Sequence, residues 1–303
     1  MRDGHSKPLI VWMSYSILLF ASVDTWADPT PMRPLSADQP LYGWIVGQGW
    51  PESTYRYKNF CGTMKFPFDT DSTAKHVDLM PAFTKWGLDP RLQGKRDTCS
   101  VFTMVGSLEY ALALKQGTGV RLSVEYLNWA ANQATGKNQD GGFFSDLWRG
   151  FEIYGVCPER EMPYQAEFDP NLVPGEPVRT VARKLLENHF RRHWIKKWNV
   201  STGLTESQLA AIKQTLRQQW PVCGGFRWPK NKVEWNEKSF DLPFPEEVFD
   251  GHSVLLIGYQ DDPQQPGGGA FLFLNTNDGR KSWMTYAYAG SYMNDAMWID
   301  CEK

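Results

Sequence analysis

The amino-acid sequence predicts an α+β protein of two lobes, helical first and rich in antiparallel strands afterwards. Two observations carry this. Apolar residues recur at helical spacing from Cys99 to Leu112, and helical segments follow near Ser123 and Phe144. Beyond Trp220 the apolar residues fall instead into short runs, PVCGGF, HSVLLIGY, AFLFL and AMWI. The turn-rich DDPQQPGGG separates two of these, as expected of a mostly antiparallel sheet.

At the N-terminus, Arg2 and Lys7 precede an apolar stretch from Leu9 to Ser22. Its 14 residues are short of the roughly 20 that a membrane span needs and fit the core of a signal peptide. Thr25 and Ala27 are small residues before a cut between Ala27 and Asp28. Residues 1–27 therefore read as a signal peptide and the chain as exported, periplasmic or secreted; an uncleaved anchor is the alternative. No later segment is apolar for long enough to span a bilayer, so no stable membrane association is expected after cleavage. Residues 28–76 are rich in Pro, Gly and aromatics without helical periodicity and read as an extended segment, a candidate prosegment.

The first long helix starts at Cys99, with Thr98 as its cap and Gly117 or Gly119 as its stop. A second begins near Ser123 in SVEYLNWAANQ, and a third covers about Phe144 to Tyr154, closed by Gly155 and Pro158. TESQ at 205–208 is a capping box, Thr205 at the cap and Gln208 reaching back, for a helix running to about Gln219. The sequence holds no internal repeat.

Composition fits a globular protein with a sizeable core: 303 residues, 42% hydrophobic and 22% charged. A net charge of −2 gives no global reason to bind nucleic acid or an anionic membrane, and RRHWIKK at 191–197 reads as a solvated face. Five cysteines in an exported chain suggest pairs plus one free thiol. Cys99 is the natural odd one, leaving Cys61, Cys157, Cys223 and Cys301 with three unranked connectivities, or with two of them as buried free thiols.

A hydrolytic thiol must ionise, needs a base that later acts as acid, and needs donors for the oxyanion. Cys99 lies in the first turn of its helix, where free N–H groups and the dipole favour a thiolate. The same N–H groups can serve an oxyanion, with the side-chain amide of Gln93, six residues earlier, beside them. Of the five histidines, His5 lies in the leader, and His189 and His193 are spaced i, i+4 without an H-E-x-x-H pattern. His252 opens an apolar strand in DGHSVLLIGY, where a polar ring demands a partner. The next strand, AFLFLN, ends in Asn275, whose amide can orient an imidazole.

With these residues in place the sequence resembles the papain-like cysteine peptidases, and more closely their bacterial exported members, over about 77–300. Val77-Asp78-Leu79 is similar to the segment opening the mature enzymes, and Gln93-Gly94 followed by Cys99 keeps the family's spacing. LSVEYLNW resembles the helix after the catalytic one, Asp140-Gly141-Gly142 the glycine pair that binds an extended substrate, and GVCPEREMPY the Gly-x-x-x-Glu…Pro-Tyr corner. GHSVLLIGY resembles the histidine strand. His252 lies 153 residues after Cys99, near the roughly 130–150 of this family. The resemblance implies Cys99 as nucleophile, His252 as base and acid, Asn275 as its orienting partner, Gln93 as oxyanion donor, and Gly141 and Gly142 as substrate-binding residues. It implies a papain-like two-lobed domain over 77–303, helical to about 175 and β-rich from about 176, with the site in the cleft between the lobes. It also implies a protein or peptide substrate, no metal and no organic cofactor.

The sequence departs from the family at three places. Arg96 stands where a disulfide-forming cysteine is usual, and Ser100 where tryptophan usually follows the nucleophile. Thr276-Asn277-Asp278 replaces Ser-Trp-Gly, removing the indole that shields the His–Asn hydrogen bond; Trp283 is a candidate replacement, and Asn277 a rival partner for His252. The last change gives weight to one other reading, a degenerate member that binds peptides or a partner protein without cleaving; a second alternative keeps the Cys-His pair for another acyl transfer, such as transamidation.

Overall fold

The structure, a computed structural model, describes residues 74–231, 235 and 242–301. The expected signal peptide, almost all of the expected extended segment, Cys61 and His5 lie outside the described residues. In the first half, helix α1 (Met80–Lys85) leads to α2 (Cys99–Gln116), α3 (Val124–Thr135) and α4 (Phe144–Tyr154). Helix α2 is apolar on nearly every side, which only an interior helix tolerates, and it is buried from Cys99 to Val105 and again from Ser107 to Ala113. Gly117, left-handed at φ 74°, ends it. Ser123 caps α3 by accepting the Tyr126 N–H at 2.9 Å.

The second half contains α5 (Glu176–Lys184), strand β2 (Phe190–Lys196), α6 (Glu206–Arg217) and β3 (Val222–Pro229). Then come β4 (Val248–Asp261), β5 (Gly269–Asn275), β6 (Arg280–Thr285), α7 (Tyr286–Tyr292) and β7 (Met293–Cys301). The strands form one antiparallel sheet in the order β2-β7-β3-β4-β5-β6. A short strand, β1 (His76–Asp78), returns to pair with Gly258–Gln260 of β4. Gly258 is required there: a Cβ on it would stand 2.2 Å from the Val77 carbonyl oxygen. Helix α2 packs on β3, β4 and β7, so its N-terminus is fixed against the sheet by a shared core. Leu108, fully buried in that core, is worth about 2–5 kcal/mol against alanine.

The expected α2, α3 and α4 and the capping box all form; Thr205 and Gln208 exchange both bonds. Several expectations are corrected. Thr98 makes no side-chain cap; its hydroxyl bonds the Tyr164 hydroxyl at 2.7 Å. The disulfide expectation fails, because Cys99, Cys157, Cys223 and Cys301 are all free and buried. Two of the thiols donate to backbone carbonyls instead, Cys223 to that of Thr103 and Cys301 to that of Ala111. The i, i+4 histidine pair dissolves too. His189 sits at φ 52° outside any helix and His193 lies in strand β2, stacked on Trp298 at 4.1 Å. Among the described residues no helix is long and apolar enough to cross a membrane, and no three His, Cys, Asp or Glu side chains converge as a metal site.

Candidate active site

Cys99 is the first residue of α2, and no side chain caps that end. The first-turn N–H groups, which Ser or Asp would normally satisfy, are therefore open to a ligand. Cys99 Sγ is buried and lies 3.7 Å from the Gly251 carbonyl oxygen, one peptide away from His252.

His252 stands on β4 opposite Phe226 of β3, 4% exposed. Its Nε2 is 3.0 Å from Oδ1 of Asn275, the last residue of β5. The turn after β5 sends the Asn277 backbone N–H to the same oxygen, at 3.2 Å. An N–H only donates, so this second contact fixes which end of the Asn275 amide is oxygen. That oxygen in turn requires the proton on Nε2. In neutral His252 the lone pair then lies on Nδ1.

Gln93 is joined to the same turn. Its backbone N–H donates to the Thr276 carbonyl at 2.9 Å, and its side-chain Oε1 accepts the Thr276 hydroxyl at 2.6 Å. Its Nε2 donates to the Arg96 carbonyl at 2.8 Å, leaving one amide hydrogen uncommitted. The structure thus ties Gln93 to the residue next to Asn275, and Cys99 to the residue next to His252.

Gly141 and Gly142 close another side of α2. A Cβ on Gly141, at φ 68°, would meet the Asp97 carbonyl oxygen at 2.4 Å, so only glycine permits this approach. Gly142 donates its N–H to Ser100 Oγ at 3.2 Å and Gly141 to Asn128 Oδ1 at 3.0 Å. Ser100, in place of tryptophan, has a use here: it fastens the glycine pair to the helix.

Burial dominates the electrostatics. It pushes the Cys99 thiol up, against hydrogen bonds from Ser253 and the Ser100 backbone that favour the thiolate, while the Asp97 charge adds to the rise. It pushes the His252 imidazole down to about 4, with the Asn275 hydrogen bond and the Asp278 charge opposing. Burial thus disfavours the charged form of each group, the thiolate of Cys99 and the imidazolium of His252.

Two residues at the site were not read from the sequence. Trp228 packs against the His252 ring with centroids 4.3 Å apart, whereas the expected replacement, Trp283, lies beside His76 at 6.4 Å. Trp228 is two residues beyond Phe226, the cross-strand partner of His252, but that register is invisible without strand pairing. Thr276 had no signal beyond its place after Asn275.

The comparisons with known proteins agree with this architecture. The profile described as "Papain family cysteine protease" matches residues 88–300. Among solved structures, the chain is similar to xylellain, a cysteine protease from Xylella fastidiosa. That match has 21% identity and a TM-score of 0.56 over 77% of this chain and 88% of that one. It is similar to digestive procathepsin L 3 of the Tenebrio molitor larval midgut, with 17% identity and a TM-score of 0.51 over 79% of this chain and 74% of that one. It also matches Cwp84, a surface layer associated protein of Clostridium difficile, with 15% identity and a TM-score of 0.50 over 77% of this chain and 53% of that one. At these identities the solved structures speak for the fold, and the profile, spanning more than two thirds of the sequence, places the chain in the papain family of cysteine proteases.

Proposed function

We propose that this chain hydrolyses peptide bonds in protein or peptide substrates, with Cys99 as nucleophile, His252 as general base and acid, Asn275 as its orienting partner and Gln93 as an oxyanion donor. The observation that carries the reading is the double hold on Asn275 Oδ1, by His252 Nε2 at 3.0 Å and the Asn277 N–H at 3.2 Å. It leaves the basic nitrogen of a neutral imidazole free to take a proton from sulfur.

The Cys99 proton passes to His252 Nδ1 while Sγ adds to the scissile carbonyl carbon. The resulting oxyanion receives the Cys99 backbone N–H and the uncommitted Gln93 amide hydrogen. Collapse breaks the C–N bond, the leaving amine takes the proton from His252, and a thioester remains. Water, deprotonated by His252, then attacks the thioester and regenerates the thiol. Gly141 and Gly142 align an extended substrate backbone, Gly142 sharing its N–H with Ser100. Such catalysis calls on no metal or organic cofactor and no nucleic acid.

The segment at residues 1–27 supports an exported, periplasmic or secreted enzyme, as does the likeness to a surface layer associated protein. In this reading residues 77–303 form the peptidase domain and 28–76 an extended segment that is a candidate prosegment, whose last residue, His76, pairs with Gln260 of the sheet. The test is to treat the mature chain with a thiol-directed peptidyl electrophile and a broad fluorogenic peptide panel. Labelling that disappears in Cys99→Ala, together with turnover, is the expected result. Labelling without turnover across pH 4–8 overturns it in favour of a non-cleaving peptide binder, and amine incorporation exceeding hydrolysis in favour of a transamidase.

A further inference from the structure

Arg96, where a disulfide-forming cysteine is usual, is 5% exposed and all five of its N–H donors are engaged. Nε and Nη2 form a fork on Asp140, at 3.0 and 2.7 Å. Nη1 and Nη2 form a second fork on Glu125, at 2.5 and 3.1 Å, and Nη1 also reaches the Gln165 carbonyl at 3.0 Å. The guanidinium lies over the Tyr164 ring at 4.7 Å, and the Tyr164 hydroxyl donates to the Gln93 carbonyl at 2.9 Å. The Arg96 carbonyl itself accepts the Gln93 side-chain amide.

We infer that Arg96 is a positioning residue of the active site, a non-covalent clamp joining the Gln93–Cys99 loop to the Asp140–Gly142 substrate loop through Asp140, with Glu125 of α3 as its anchor. The inference rests on the peptidase reading, in which these two loops supply the oxyanion donor and the substrate-binding glycines. Four separate segments meet at one planar cation: the nucleophile's loop, helix α3, the glycine loop and Tyr164-Gln165. Two carboxylates, one on the Nε/Nη2 edge and one on the Nη1/Nη2 edge, need two bidentate faces, which guanidinium has and ammonium lacks. Since no sulfur is involved, reduction leaves the clamp intact.

The experiment compares wild type with Asp140→Asn and Arg96→Lys, using circular dichroism to confirm folding, an active-site titrant to count competent sites, peptide kinetics, and amide hydrogen exchange at 93–97 and 139–142. Asp140→Asn weakens only the Arg96 hold on the glycine loop, which Asn128 and Asn132 of α3 still bond at Gln139 and Gly141. It is expected to raise KM on the order of tenfold with kcat nearly held, the signature of lost uniform binding. Arg96→Lys loosens both loops and is expected to raise KM and lower kcat together. Exchange at 139–142 is expected to quicken in both variants, and at 93–97 in Arg96→Lys alone. A merely structural role lowers the number of titrated sites and leaves KM as in wild type; that result, or folded variants with wild-type KM and unchanged exchange, overturns the clamp. If wild type itself cleaves no peptide, the peptidase reading fails on its own account, and the exchange comparison still decides whether Arg96 holds the two loops.

Discussion

The indole of Trp228 meets the His252 imidazole edge-on, with ring centroids 4.3 Å apart and planes at 63°. Trp228 belongs to β3, the strand beside His252, and it is itself packed against Trp235, Phe273 and Tyr288. The turn after Asn275 carries no tryptophan here. Its Thr276 bonds Gln93 and its Asn277 N–H holds the Asn275 amide. His252 and Asn275 are both buried, at 4% and 5% exposed, so their hydrogen bond is dry despite the altered motif.

Trp228→Ala removes the ring and opens the imidazole to water. Burial is the largest cause holding His252 down at about 4, so its pKa is expected to rise toward the ordinary histidine range. The variant also loses about 3–5 kcal/mol of stability, as truncated core tryptophans do. Trp228→Phe keeps an aromatic edge and is the folded comparison. An imidazole titration unchanged in Trp228→Phe and Trp228→Ala alike, followed by NMR, refutes the shield.

Asn275→Ala leaves the His252 Nε2 hydrogen buried without an acceptor and removes the constraint on its tautomer. The expected loss in kcat/KM is about 10–100-fold, matching roughly 1–3 kcal/mol for one unsatisfied buried group. Asn277→Ala keeps the backbone N–H and is expected to stay within about twofold of wild type. The reverse ranking in steady-state assays makes the Asn277 side chain the true partner of His252.

Sequence made part of this legible and physics explains which part. The interior helix α2, the Thr205–Gln208 box and the strands of β4 and β5 carry strong local signals, so their residues were identified with their neighbours unknown. Strand β2 reads as a charged surface because FRRHWIK shows no alternation, while the structure half-buries nearly its whole length. Thr98 looked like a cap; its preference for Tyr164 depends on a residue 66 positions away. The same holds for Arg96, whose partners Glu125 and Asp140 are separated from it by 29 and 44 residues. Long-range pairing is where local pattern stops.

Cys99→Ala isolates the imidazole from any thiolate, which makes the pH dependence of His252 directly visible. Its folded pKa, about 4, is below the unfolded value of roughly 6.5. Between those values the unfolded chain binds the proton and the folded chain does not. Stability therefore falls as pH drops from about 6.5 to about 4, and this contribution is flat below and above that window. The span is on the order of 3 kcal/mol. Urea unfolding of Cys99→Ala against Cys99→Ala/His252→Asn at a series of pH values measures it; parallel curves for the two proteins rule the depressed imidazole out.

Substitutions at Gln93 test the proposed oxyanion role apart from substrate binding. Its Oε1 accepts from Thr276 and its Nε2 donates to the Arg96 carbonyl, so the amide is held from both ends with one hydrogen left over. Gln93→Glu keeps the acceptor for Thr276 but loses both donors and sets a carboxylate beside the Arg96 carbonyl. Gln93→Ala removes the whole group. Since an oxyanion exists only in the tetrahedral intermediate and its flanking transition states, both changes are expected in kcat, by about 10²–10³, with KM little altered. Gln93→Glu is expected to be the worse of the two, because it adds negative charge where negative charge develops. Electrophile labelling of Cys99, which needs the thiolate more than the oxyanion donors, is expected to fall far less than turnover in Gln93→Ala. Equal losses in labelling and turnover place the role of Gln93 in shaping the loop before α2 rather than in the chemistry.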